Sequence, residues 1–198
     1  MHLSKYDEGS SWGGWPCKGL ETPDNSDDYI APFTPGAKAM YYHYFSDANL
    51  STRSIQGGVG MLAGGTIQSV SQRQQLAAPC AHTVEVVAAG NNLHMVVPQN
   101  GVLQEMRLRL GRPTPFYLDS KTTVFVAKTD TAVKKSVWLI RRAAVLQEGV
   151  IMKEIVPIHI REYDMVADPF TKYLTHPVWH RHMWYVLNRL SDCPPRKE

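Results

Sequence analysis

The sequence predicts an α/β fold: a five-stranded mixed sheet, three antiparallel strands plus two parallel ones, flanked by helices. Two observations carry this. An aromatic strand-like run leads into a glycine-turn hairpin, which supplies three strands in a row. Two further short apolar runs then alternate with helical segments, so each is reached by a crossover, as parallel strands require.

In chain order, residues 1–38 are rich in Gly, Ser, Pro and Asp without sustained periodicity and read as a tail or linker, with Trp12 and Trp15 as its apolar points. The domain spans 39–191, and 192–198 form a second short tail. Met40 to Phe45 is the first strand. Gly57 to Ala63 and Thr66 to Ser71, joined at Gly64-Gly65, form the hairpin. Glu85 to Gly111 is helical in pattern, with Pro98, Asn100 and Gly101 expected to break or kink it. Thr114 to Leu118 is a strand after a proline stop. Val133 to Gln147 is an amphipathic helix, with Val133, Val137, Ile140 and Ala144 on one stripe and Gly149 as its end. Glu154 to His159 is the last strand. A final helix starts at Thr175-His176-Pro177 with an apolar stripe of Trp179, Met183, Val186 and Leu190.

The 198 residues suffice for one domain with a real core. No apolar run reaches the ~18 residues of a membrane span, and the N-terminal residues lack a hydrophobic signal core. Cys17, Cys80 and Cys193 are odd in number and far apart, which fits a reducing intracellular compartment (cytoplasm or nucleus, an organelle included) and no structural zinc. A net charge of +3 is a weak argument for a polyanionic partner.

Four acids stand in separate contexts. Asp47 ends an aromatic strand, Glu85 opens a helical segment, Asp119 ends a short apolar strand, and Asp168 lies in Val166-Ala167-Asp168-Pro169. Such an arrangement can gather four carboxylates at one sheet end. They would repel one another unless a cation sat among them, and oxygen donors select a hard ion such as magnesium.

These residues resemble the ribonuclease H domain that ends the polyprotein of copia-type retrotransposons. Ser46-Asp47-Ala48-Asn49 resembles the family's Ser-Asp-Ala-Asp. Gly57 to Gln75 is similar to its hairpin, and His82-Thr83-Val84-Glu85 stands where the family has Ser/Thr-x-Ala-Glu-Tyr. Tyr117-Leu118-Asp119-Ser120 resembles Tyr-Cys-Asp-Asn. Ala167-Asp168-Pro169-Phe170-Thr171-Lys172-Tyr173-Leu174 resembles Ala-Asp-x-Leu-Thr-Lys-x-Leu, the most specific match. The resemblance covers about residues 39–190. It departs at Lys134-Lys135-Ser136-Val137, where the family has Thr-Lys-His-Ile.

The resemblance implies a ribonuclease H-like fold and a magnesium-dependent endonuclease, a hydrolase of the RNA strand of RNA–DNA hybrids. Two Mg ions, with Mn as a substitute, would be held by Asp47, Glu85, Asp119 and Asp168. Asp47 and Asp119 would bind most directly, Glu85 would hold the first metal and sense the ribose, and Asp168 would complete the second. It also implies association with a reverse transcriptase domain, or with a larger assembly that orders the tail.

Lys134, Lys135, Arg141 and Arg142 share faces of one helix, and Lys121 and Lys172 sit beside acids, so all six are candidate phosphate contacts. His176 and His180, one turn apart, are a candidate metal pair of lower rank than a capping or exposed role. A second function stands beside the nuclease: a retrotransposon-derived domain, weak or inactive in catalysis, serving as a structural or nucleic-acid-binding subunit.

Overall fold

A computed structural model describes residues 42–62, 65–75, 79–108, 113–129 and 137–187. The expected tails at 1–38 and 192–198, the domain limits, Trp12, Trp15, Cys17, Cys193, Val133, Leu190, Lys134 and Lys135 lie outside these residues. The elements are β1 (His43–Asn49), β2 (Ile55–Leu62), β3 (Gly65–Arg73), α1 (Ala81–Glu105), β4 (Thr114–Leu118), α2 (Lys121–Lys128), α3 (Val137–Ile151), β5 (Ile155–His159) and α4 (His176–Val186). Short 3-10 turns at Glu162–Asp164 and Asp168–Phe170 lie between β5 and α4. No helix among the described residues is long and apolar enough to cross a membrane.

The sheet order is β3-β2-β1-β4-β5. The β1–β2 and β2–β3 pairs are antiparallel, and β1–β4 and β4–β5 are parallel, as expected. Side chains alternate across the pleat, which divides the core in two. Tyr44, Phe116, Leu118 and Ile155 pack beneath α1, α2 and α3 with Val86, Leu93, Val124 and Leu146. Phe45, Tyr117 and Ile158 face the other way and are covered by Ile160, Met165, Val166, Ala167 and Tyr185. The two central parallel strands are tied on both faces by stacked rings, Tyr44 on Phe116 at 5.6 Å and Phe45 on Tyr117 at 4.9 Å between centroids. A Cβ at Gly58 would overlap the Tyr44 hydroxyl, so that glycine makes room for a ring that is fully buried.

Several local expectations are corrected. Helix α1 runs unbroken through Pro98. Asn100 holds that stretch in place rather than ending it: its amide donates to Glu154 Oε2 at 2.8 Å and accepts from Thr114 Oγ1 at 2.6 Å. Helix α2 falls in a stretch to which the sequence pattern assigns no element; Thr122, Thr123, Val124 and Val126 are β-branched, which weakens any local helix signal. Ser120 starts it by accepting from the Thr123 N–H at 3.2 Å, and Val124 and Ala127 anchor it.

Helix α3 runs past Gly149, which lies against Leu93 where a Cβ would stand 2.8 Å from a methyl. The chain leaves α3 through Lys153, at φ 56°, with the Glu154 N–H bonded to the Gly149 carbonyl at 2.9 Å. The buried face of α4 is Arg181, His182 and Tyr185, while Trp179 of the expected stripe is 41% exposed. Tyr185 joins the second core cluster with Val186 of the expected stripe packed against it, and the Arg181 guanidinium sits 3.2 Å over the Tyr163 ring, so that face docks by an apolar seam with a cation–π contact beside it.

Candidate metal centre

Strands β1 and β4 are parallel and in register up to the pair Ser46–Leu118. The next residue on each is Asp47 and Asp119. Two neighbouring strands thus deliver two carboxylates at their C-terminal ends, where ligands enter open α/β sheets. Glu85 comes from the second turn of α1. That helix is held on the sheet by Asn92, whose amide donates to Ser46 Oγ and to the Gly57 carbonyl, both at 2.8 Å. A carboxylate oxygen from each of Asp47, Glu85 and Asp119 lies within 4.8 Å of the other two.

The fourth acid approaches from the opposite face. In its segment Met165, Val166, Ala167, Asp168 and Thr171 are buried and Pro169 and Phe170 half-buried, and Asp168 heads a 3-10 turn with Pro169 behind it. Asp168 is hydrogen-bonded to Asp47 and is not part of the set of three. Its Oδ1 forms an ion pair with Lys172 Nζ at 3.1 Å, and that ammonium also lies 3.6 Å from Glu162. The Thr171 hydroxyl donates to Asp47 Oδ2.

The electrostatics follow from burial and crowding. Glu85 is pushed up to about 10, first by burial and then by the charges of Asp47 and Asp119. Asp168 is pushed up to about 8 by burial and by Asp47, with Lys172 opposing. Asp119 rises to about 6 for the same leading reasons. Burial alone would lower Lys172, but Asp168 and Asp47 outweigh it and hold the amine charged.

Glu85 Oε2 and Asp119 Oδ1 are buried without a hydrogen-bond partner. Buried acceptors of this kind are costly unless something satisfies them. All the donors are oxygens, the cluster is acid-rich, and the orphaned atoms lie within it. The residues fit a hard divalent cation.

Of the candidate phosphate contacts, Lys121 is exposed at the first position of α2, beside Asp119, and Lys172 is part of the site. Arg141 is exposed on α3. Arg142 donates to Asn91 Oδ1 at 3.3 Å and, with Gln56, Gln72 and Arg73, lines a groove of about 240 Å³ beside α1. His176 and His180 contact each other, Nε2 to Nε2 at 2.8 Å, and do not belong to the acidic set.

Sequence reasoning missed three contributors. Thr171 is signalled only by its place in the Asp-Pro-Phe-Thr-Lys run. Gly57 has no sequence signal beyond being a strand glycine. His159 ends β5 with Nε2 3.1 Å from the Asp119 carbonyl, and burial and Lys121 lower its pKa.

No protein-family model matches the chain, and no curated protein matches it. Solved structures do. LC11-RNase H1, isolated from compost by a metagenomic approach, is 16% identical, with 67% of this chain and 93% of that one covered at a TM-score of 0.53. The N-terminal RNase H domain of a Mycobacterium tuberculosis protein is 14% identical over 73% of this chain and 97% of that one, at 0.48. A foamy viral protease-reverse transcriptase, solved with an RNA/DNA hybrid, is 14% identical over 78% of this chain and 22% of its own, at 0.48. With the strand order and the flanking helices described above, the likeness to LC11-RNase H1 establishes the architecture: this chain has the ribonuclease H-like fold, a five-stranded mixed sheet with an acidic cluster at the C-terminal ends of its central parallel strands.

Proposed function

We propose that the protein is a ribonuclease H, an endonuclease that hydrolyses the RNA strand of RNA–DNA hybrids with two magnesium ions, for which manganese substitutes. The observation that carries this reading is the convergence of Asp47, Glu85 and Asp119 within 4.8 Å, with two of their buried oxygens unsatisfied. The likeness in fold to an RNase H1 supports the reaction class.

Asp47, Glu85 and Asp119 would hold the first ion, and Asp168, joined to Asp47, would complete the second. When bound, the ions supply a water nucleophile at neutral pH and neutralise charge at the scissile phosphate. The chain's own residues do the rest. Asp47 and Asp119 are held rigidly by adjacent strand ends, Thr171 and Lys172 brace Asp47 and Asp168, and Lys121 is placed beside the cluster to meet a phosphate. The Ala167-to-Leu174 motif supports an origin in a copia-type retrotransposon polyprotein. Partnership with a reverse transcriptase domain and an intracellular, reducing location complete the proposal.

One observation favours a second reading, a catalytically silent subunit. The Lys172 ammonium already pairs with Asp168, as an internal counter-ion would. Cleavage of a labelled RNA–DNA hybrid, with magnesium and with chelator, separates the two. Magnesium-dependent cuts in the RNA strand that disappear in Asp119→Asn uphold the nuclease. Binding of the hybrid with no cleavage in either protein upholds the subunit.

A further inference from the structure

Thr171 is buried, yet it lies far in sequence from the strand acid it touches. Its surroundings are built to bring it there. Gly57 is the β2 partner of Asp47. A Cβ on it would stand 2.6 Å from Thr171 Cγ2, 3.0 Å from Phe170 Cβ and 3.1 Å from the Ala167 carbonyl oxygen. Only a bare backbone lets the segment lie this close to the sheet. Ser71 of β3 donates to the Phe170 carbonyl at 2.7 Å, and Asn49 of β1 donates to the Thr171 carbonyl at 3.4 Å. Three strands therefore clamp one turn, and the turn carries Asp168 three residues before Thr171.

We propose that Thr171 is the positioning residue of the acidic site, its hydroxyl fixing the Asp47 carboxylate while its turn, seated on Gly57, sets Asp168 beside it. The inference rests on the metal-site reading above. A carboxylate held at one oxygen by a hydroxyl presents its other oxygen in a set direction, as groups behind metal ligands commonly arrange. The same contact joins the fourth acid to the first, so the two metal positions are not built independently.

The experiment compares Thr171→Val, which keeps shape and loses the hydroxyl, with Thr171→Ser, which keeps the hydroxyl. The probe is Mn²⁺, titrated against the melting temperature of the full chain at constant ionic strength. The half-saturating Mn²⁺ concentration is expected to rise about tenfold in Thr171→Val and to stay near wild type in Thr171→Ser. Gly57→Ala should weaken Mn²⁺ binding as Thr171→Val does, because it lifts the whole turn. A wild-type response to Mn²⁺ that Thr171→Val leaves intact overturns the proposal. If wild type itself ignores Mn²⁺, the metal-site reading fails, and crystal structures of the two variants decide the positioning role alone. A turned Asp47 carboxylate in Val and a retained one in Ser uphold it; an unchanged carboxylate in both overturns it.

Discussion

Asp47 and Asp119 each stand one residue beyond Ser46 and Leu118, the pair that closes the β1–β4 ladder. Their separation is set by strand spacing rather than by loop conformation. Strand neighbours in a sheet are about 4.8 Å apart, a distance at which two carboxylates repel strongly and a cation between them satisfies both.

Asp119→Asn keeps the volume and removes the charge. Hybrid cleavage in magnesium is expected to fall by at least about a hundredfold, while far-UV circular dichroism stays unchanged. Retained cleavage would remove Asp119 from the site.

The raised acids make the metal-free domain pH-sensitive in a direction opposite to that of ordinary ion-paired carboxylates. A carboxyl whose folded pKa lies above its unfolded value binds its proton more tightly in the folded state. Its contribution is fully present below about pH 4 and is lost as pH rises through the folded value. The loss therefore starts near pH 4 and runs to about 6 for Asp119, about 8 for Asp168 and about 10 for Glu85. Glu85→Gln does not titrate, so in chelator its melting temperature should exceed wild type by a margin that widens from pH 5 to pH 9. Magnesium binds the ionised form, so its stabilisation of wild type should grow over the same range. Parallel melting curves for the two proteins would expose the error.

Arg107 closes α1 at φ 58°, with the Leu108 N–H on the Leu103 carbonyl at 2.8 Å, a position that glycine occupies without steric cost. Arg107→Gly is expected to stabilise the protein by about 1 kcal/mol, or roughly 2–4 °C for a domain of this size. Denaturant and thermal unfolding both measure it.

Arg141 and Arg142 lie on the same helix, and Arg142 lines the groove beside α1. Neutralising both should lower the slope of log affinity for the hybrid against log salt by about one to two units. An unchanged slope would mark a solvated helix face.

The fold was legible wherever local pattern and topology agree. The glycine hairpin and the apolar runs at Thr114 to Leu118 and Glu154 to His159 led to the observed mixed sheet of three antiparallel and two parallel strands. The candidate acids were legible because strand-end and helix-start positions carry local signals. What stayed hidden is tertiary. Pro98 is tolerated because Asn100 is tied to Glu154 and Thr114, partners distant in sequence. The β-branched stretch at 122–126 becomes helix because Ser120 caps it and two apolar side chains find the core. The meeting of Gly57 with Thr171 has no periodicity to betray it, and of the expected α4 stripe Val186 packs on the core while Trp179 stays exposed and Arg181 is buried over Tyr163.

The fourth acid arrives late in another sense. Translation delivers the chain from its first residue onward, and β5, which completes the sheet, is finished at His159. A nascent chain released to that point contains the residues of all five strands and Asp47, Glu85 and Asp119, but not the turn at 168–171 that links Asp168 to Asp47. The ribosome thus releases five strands and three acids before it releases the segment that both covers the second face of the sheet, through Met165, Val166 and Ala167, and brings in Asp168, so closing that core and completing the acidic centre fall to the same late stretch of chain.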